Sequence, residues 1–173
     1  MVMNILTAPH PVLLQKAHPI SRVDKRVEKL IKNMIETLLA QKDPIGVGLS
    51  ANQVGVLDRI FLARPDEQSE SVDVFINPEI LAVEQGGADR ESTLEGCLSI
   101  PKIWGKVLRP QKAHVSYMDL SGTTGQKWFD GFEAVVVQHE LDHLNGILFT
   151  QRVLEQGGEL FKEVDGELQP YRL

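Results

Sequence analysis

Two histidines and a glutamate in the segment VVQHELDHLNG, residues 136–146, have the spacing of a metal-binding helix. His139 and His143 are four residues apart, so both imidazole rings lie on one helix face and reach one ion. Glu140 cannot easily bind that ion beside them, but it can take a proton from water activated there. The segment therefore predicts a hydrolytic metal centre, with a polar surface helix as the alternative.

A catalytic metal centre needs a third protein ligand and an open position for solvent. Cys97, the only cysteine, lies in STLEGCLSIP between strand-like segments, and its thiolate would be a strong ligand. A lone cysteine is also common as a small buried apolar residue. Glutamates after the helix are the rival third ligands, as in zinc endopeptidases with the same helix pattern: Glu155, Glu159 and Glu163.

The length and composition of the chain predict a single globular domain, residues 1–173. The chain has 173 residues, of which 42% are hydrophobic and 24% charged. A single cysteine permits no internal disulfide, and the N-terminus lacks a signal-peptide pattern, so we expect a cytoplasmic protein. No apolar run approaches the roughly 18 residues of a membrane span. The net charge of −6, without a basic cluster, argues against a nucleic-acid partner.

Two helices flank the central part of the sequence. Residues 24–41 carry apolar side chains at helical spacing with charged residues opposite, which predicts an amphipathic helix capped by Asp24 or Ser21. The second helix, with the two histidines, is predicted from residue 131 or 132 to 144. Gly146 then stands where a left-handed residue often ends a helix.

Short strands are predicted between the two helices, and a small helix at 151–156 and a hairpin around residues 165–166 are predicted after them. The order of helix, several strands and helix indicates an α+β fold rather than a doubly wound one. We expect short antiparallel strands packed around a central metal-binding helix, with the amphipathic helix at the N-terminus. The predicted strands are 59–63, 72–77, 79–84, 105–109, 113–120 and 124–130.

Three motifs together resemble those of the peptide deformylase family, in the same order. They are GVGLSANQVG at 46–55, EGCLS at 95–99 and QHELDHLNG at 138–146. The N-terminal ILTAPHPVL is similar to the start of that family as well. The resemblance implies a compact α+β fold and an enzyme that removes the N-formyl group from new polypeptides beginning with formylmethionine, releasing formate.

The resemblance also implies a metal and its ligands. Cys97, His139 and His143 would bind one divalent ion, and Glu140 would act as general base and then as general acid. Ferrous iron is the metal that the family implies, although Zn²⁺, Ni²⁺ or Co²⁺ can occupy such a site. The ligand set alone does not decide among these metals.

The remaining roles carried over concern the oxyanion and the substrate. The amide of Gln53 and the backbone N–H of Leu98 would hold the developing oxyanion. The substrate backbone would pair with the strand near Val47 and Gly48. The apolar residues before His139 share or border its helix face, and our own hypothesis is that one or two of them also line a methionine pocket, while ordinary core packing explains the others. The expected substrate-binding residues are Val47, Gly48, Gly96, Phe132, Val135 and Val136.

The chain departs from the family pattern at several positions. Ser50 stands where the family usually has alanine, and Trp104 stands where many members have arginine. The family suggests that Asp142 pairs with Arg109. Many bacterial members end in a basic helix associated with the ribosome, whereas residues 150–173 carry three basic and five acidic side chains here. A transient ribosome contact through this atypical tail is therefore not supported.

Three other functions compete with deformylation. A metalloendopeptidase would use the same helix with a downstream glutamate, but only 27 residues follow Gly146. A non-catalytic module with a structural metal would need four protein ligands, usually with more cysteines. A metal-dependent amidase or peptidase of the same fold with an altered substrate is the third alternative.

Overall fold

The structure, a computed structural model, describes residues 1–88 and 91–172. Over these residues the chain forms three α-helices: α1, Lys25–Ala40; α2, Gly131–Leu144; and α3, Phe149–Glu155. Nine strands accompany them: β1, Gly48–Ser50; β2, Ile60–Ala63; β3, Asp73–Glu84; β4, Thr93–Cys97; β5, Ile100–Val107; β6, Lys112–Met118; β7, Thr124–Asp130; β8, Leu160–Val164; and β9, Glu167–Tyr171. None of the described helices is long and apolar enough to cross a membrane.

The strands form two antiparallel sheets. One has the order β1-β2-β3-β6-β7 and the other has the order β4-β5-β8-β9. Strands β1 and β4 are therefore edge strands, each paired on one side within the described residues. The expected α+β class with short antiparallel strands is confirmed, and both edges are available to border a site.

Helix α1 forms for the reason that its sequence predicts. Its apolar face is buried, including Val27, Met34 and Leu38, and contributes to the same core as β1 and β2. The Asp24 side chain caps the helix by accepting a hydrogen bond of 2.9 Å from the Val27 N–H. The hydrophobic burial of this face anchors the sheet that carries β1.

Helix α2 lies at the centre of the molecule, as expected. Nine of its residues are buried, and its apolar side chains pack with aromatic residues of β2, β3 and β7. Gly146 follows the helix with φ of 74°, and a Cβ there would lie 2.5 Å from the Leu14 carbonyl oxygen. Both the left-handed conformation and the close approach require glycine at this position.

The structure corrects several strand boundaries. The predicted strands 72–77 and 79–84 are one continuous strand, β3. A register shift and a positive φ of 50° at Asn77 accommodate Pro78 within this strand. The strand predicted at 105–109 begins earlier, at Ile100, and ends at Val107. The edge strands β1 and β4 were not predicted from periodicity, because they are too short to show an alternating pattern.

The C-terminal tail folds onto the second sheet as far as it is described. The predicted short helix is α3, and the hairpin around Asp165 and Gly166 is formed by β8 and β9, which we call the C-terminal hairpin. The sequence did not predict that β8 would pair with β5. The tail thus extends the sheet whose opposite edge is β4.

Candidate metal centre and active site

A sulfur atom and two imidazole rings meet at the centre of the molecule. Cys97, His139 and His143 each offer one ligand atom, and these three atoms lie within 4.8 Å of one another. Cys97 Sγ is 3.1 Å from His143 Nε2. The structure does not bring the rival glutamates into this group of described residues: Glu163 pairs with the Trp104 indole and Glu155 pairs with Arg152.

Two elements position these side chains. Cys97 ends β4 at a two-residue turn, Leu98 and Ser99, after which the chain returns through Ile100. The histidines lie one helical turn apart on α2, with ring centroids 5.0 Å apart. A strand end and a buried helix are both rigid, so the three donors are held before any ion binds.

The three residues fit a divalent metal. Ligands bound at about 2.0–2.3 Å in tetrahedral geometry lie roughly 3.3–3.6 Å apart, close to the observed distance between sulfur and nitrogen. The Nδ1–H of His139 donates to Glu95 Oε2 at 2.9 Å, which leaves Nε2 as the ligand atom. The buried Nδ1 of His143 finds no hydrogen-bond partner among the described residues.

Glu95 is a functional residue that the sequence analysis missed. It holds His139 and also accepts hydrogen bonds from Arg109, one of them 3.0 Å long. Burial raises the pKa of Glu95, yet the bonds from His139 and Arg109 outweigh it and bring the pKa to about 2. Glu95 and Cys97 are two residues apart and both buried on one face of β4, but β4 was not predicted as a strand, so this spacing could not single out Glu95 from the sequence.

The surroundings shift the pKa values of the two histidines in opposite directions. Burial lowers the pKa of His139, but Cys97 and Glu95 raise it well above its ordinary value. Burial lowers the pKa of His143 well below its ordinary value, and the neighbouring His139 adds to this. His143 is therefore neutral, with a lone pair available for a metal.

Glu140 lies in a closely packed position beside the metal ligands. The Ser50 hydroxyl donates a hydrogen bond of 2.6 Å to Glu140 Oε2. The other carboxylate oxygen is so near β1 that a Cβ on Gly48 would lie 2.3 Å from it. Burial raises the pKa of Glu140, against the opposing effects of His139 and Ser50. Glycine is thus required at position 48 because any side chain there would overlap the Glu140 carboxylate.

Gln53 and Leu98 face the same centre from two other segments. Gln53 is fully buried in the short 3₁₀-helix Ala51–Val54. Its Oε1 accepts a bond of 2.9 Å from the Ser50 N–H, and its Nε2 donates to Ser99 Oγ at 3.0 Å and lies 3.6 Å from Cys97 Sγ. Leu98 follows Cys97 directly, so its backbone borders the metal ligands.

A pocket of about 190 Å³ opens above this centre. The edge strands β1 and β4 border it, and the first part of α2 forms its floor. Seven lining residues were not predicted as site residues from the sequence: Pro44, Ile45, Gly46, Glu67, Leu94, Glu95 and Trp104. The predicted residues that line it are Val47, Gly48, Gln53, Gly96, Cys97, Leu98, Phe132, Val135, Val136, His139 and Glu140.

The pairing of Asp142 with Arg109 is confirmed. Arg109 Nη1 donates to Asp142 Oδ2 at 2.9 Å, and both side chains are buried. Arg152 on α3 also binds Asp142, at 2.7 Å. A chain of ion pairs therefore begins at Glu95, behind His139, and passes through Arg109 and Asp142. It ends at Arg152 in helix α3.

Two helical imidazoles and a strand-borne cysteine, with a buried carboxylate beside them, are the arrangement typical of a single-metal hydrolase. The sequence matches the family model for polypeptide deformylase over residues 2–158. The chain belongs to the polypeptide deformylase family. It is a metal-dependent hydrolase that removes the N-formyl group from formylmethionyl peptides of new proteins.

The chain is similar to individual peptide deformylases over most of their length. The chain is 37% identical to the peptide deformylase of Rhodopirellula baltica, covering 99% of this chain and 82% of the relative. It is 40% identical to the peptide deformylase of Halothermothrix orenii, covering 92% and 98%. The crystal structure of the Thermotoga maritima peptide deformylase superposes with a TM-score of 0.78 at 36% identity, covering 88% of this chain and 97% of that one.

Proposed function

We propose that the group formed by Cys97, His139 and His143 is the catalytic metal site of this deformylase, with Glu140 as its proton-transfer residue. The observation that carries the proposal is the convergence of one thiol and two imidazoles beside a buried carboxylate, at the base of a pocket. When bound, a divalent cation there supplies Lewis acidity, which makes water nucleophilic at neutral pH and polarises the formyl oxygen.

Glu140 moves the proton. Its carboxylate takes a proton from the attacking water as the new bond to the formyl carbon forms. The bond from that carbon to the methionine nitrogen then breaks, and Glu140 delivers the proton to the departing amine, leaving formate. Burial favours this proton transfer, because it raises the pKa of Glu140. The free-energy difference between the charged and neutral carboxyl group at neutral pH is therefore smaller.

Gln53 and Leu98 stabilise the negative charge on the formyl oxygen. An amide nitrogen has two N–H groups: Gln53 Nε2 donates one to Ser99 Oγ and directs the other toward Cys97 Sγ, 3.6 Å away, and this second N–H is the one that would turn to the formyl oxygen. The Leu98 N–H is the second donor. Donors fixed in a water-poor site contribute on the order of 3 kcal/mol each to transition-state stabilisation.

The substrate peptide lies between the two sheet edges. Strands β1 and β4 are edge strands of the two described sheets and both line the pocket, with Val47 and Gly48 on one side and Gly96 on the other, so a peptide backbone can pair with them. The apolar surface of α2 receives the methionine side chain. Its contributing residues are Phe132, Val135 and Val136.

The proposal also covers the native metal ion and the cellular compartment of the enzyme. We propose Fe²⁺ as the native ion, because an S,N,N donor set accepts it as well as Zn²⁺, Ni²⁺ or Co²⁺ and the family motifs favour it. The enzyme acts in the cytoplasm, where new formylated chains emerge, as one domain spanning residues 1–173. Three basic and five acidic side chains in residues 150–173 do not support a ribosome contact through this tail.

A formate-release assay tests the function. The metal-loaded enzyme should release one formate per formyl-Met-Ala-Ser and should leave acetyl-Met-Ala-Ser intact. Metal analysis of Cys97→Ala and Glu163→Ala tests the ligand set: the first variant should lose bound metal and the second should keep it. Absence of formate, or metal loss in Glu163→Ala alone, would overturn the proposal.

A further inference from the structure

Trp104 lines the pocket together with residues of helix α2. It pairs with Gly96 across β4 and β5, so both residues lie on the same face of that sheet. The indole ring covers the Gly96 backbone so closely that a Cβ there would lie 2.7 Å from the ring. The ring therefore lies one residue from Cys97, along the path of a peptide bound at β4.

The C-terminal hairpin fixes the orientation of this ring. Trp104 pairs with Phe161 of β8 on its other side, and Glu163 is the diagonal neighbour on the same face. The Trp104 Nε1–H donates a hydrogen bond of 3.0 Å to Glu163 Oε2. One edge of the indole is thus held by the tail, while the ring is left to face the pocket.

Apolar side chains lie beside the ring in the pocket, and the described lining contains no lysine or arginine. Leu94 and Ile45 line it with more than two fifths of their surfaces exposed. The charged residues among the described lining are Glu67, Glu95, His139 and Glu140, with no lysine or arginine. Such a surface recognises an apolar or aromatic side chain through ring packing, and not a peptide carbonyl through a guanidinium.

We propose that the C-terminal hairpin, acting through Glu163, holds Trp104 as a specificity wall for an apolar or aromatic side chain that follows formylmethionine in the substrate. This inference rests on the proposed function, since it concerns the same pocket. It assigns a positioning role to the tail: Trp104 contacts the substrate, and Glu163 acts only by orienting Trp104.

Two peptides measure this preference, formyl-Met-Phe-Ser and formyl-Met-Ser-Ser. The wild-type enzyme should show a higher kcat/KM for the phenylalanine peptide, by about five-fold, the size expected of one aromatic contact. Trp104→Ala should abolish the difference, and Glu163→Ala should reduce it at least by half. The loss should appear in KM of the phenylalanine peptide. Glu163→Gln should retain the preference, because its amide oxygen still accepts the indole N–H.

Glu167→Ala is the matched control, because Glu167 is an exposed glutamate of β9 in the same hairpin. It should keep the wild-type preference. Equal preference in wild type and Trp104→Ala, or an unchanged preference in Glu163→Ala, would overturn the proposal. Turnover of formyl-Met-Ser-Ser by the wild-type enzyme keeps the two questions separate: if it is absent, the proposed function itself has failed.

Discussion

The hydroxyl of Ser50 in β1 donates a 2.6 Å hydrogen bond to the carboxylate of Glu140 in α2. The backbone N–H of the same serine donates to Gln53 Oε1 at 2.9 Å. Ser50 is fully buried. One residue therefore positions both the carboxylate proposed to transfer the proton and the amide proposed to hold the oxyanion.

Ser50→Ala should lower kcat by about ten-fold, because a hydrogen bond to a charged group contributes on the order of 1.5 kcal/mol. The backbone bond to Gln53 is kept, so activity survives, as expected where the family usually has alanine. Steady-state formate release measures the effect, with metal content unchanged. Ser116→Ala on β6, outside the pocket lining, is the control. A wild-type kcat in Ser50→Ala would remove the positioning role.

Gly48→Ala should lower kcat by about a hundred-fold, because the added methyl group overlaps Glu140 Oε1 and displaces the carboxylate. Metal content should remain at one ion per chain. Gly125→Ala on β7 introduces the same methyl group where no atom lies within 4 Å, and it should behave as wild type. Normal turnover in Gly48→Ala would show that the Glu140 carboxylate does not act from this position.

Val136→Trp should raise KM for formyl-Met peptides at least about ten-fold, because the indole fills the pocket space proposed for the methionine side chain. Metal content should not change. Leu154→Trp on the exposed surface of α3 adds the same side chain away from the site and should leave KM as in wild type. An unchanged KM in the folded, metal-loaded Val136→Trp would place the methionine side chain elsewhere.

The Arg109–Asp142 pair should show strong coupling in a double-mutant cycle. Both groups are buried, so the substitutions Arg109→Gln and Asp142→Asn should each lower the free energy of unfolding by about 3 kcal/mol. The coupling between them should exceed about 1 kcal/mol in urea titrations at fixed metal. The exposed Lys112–Glu84 pair is the control, with coupling below about 1 kcal/mol. Additive effects at Arg109 and Asp142 would contradict this account.

Much of this architecture was predictable from local sequence patterns. The helix with His139 and His143, the capping of α1 by Asp24 and the hairpin at residues 165–166 all follow from spacing, caps and turn residues. The fold class followed from the order of these elements. Each of these features depends on residues close together in the sequence.

The parts that sequence patterns missed depend on long-range contacts. Ser50 and Glu140 are 90 residues apart, and Trp104 and Glu163 are 59 residues apart. Such contacts depend on which sheet edges meet, and no single segment carries that information. Edge strands of a few residues, such as β1, show no alternation because every residue in them is buried.

The most direct test of the central claim compares wild type with Glu140→Ala, both loaded with one metal ion per chain. We predict that Glu140→Ala keeps its metal, because Cys97, His139 and His143 are intact, while formate release from formyl-Met-Ala-Ser falls by about a thousand-fold. Full turnover by the metal-loaded Glu140→Ala would contradict the assignment of proton transfer to Glu140.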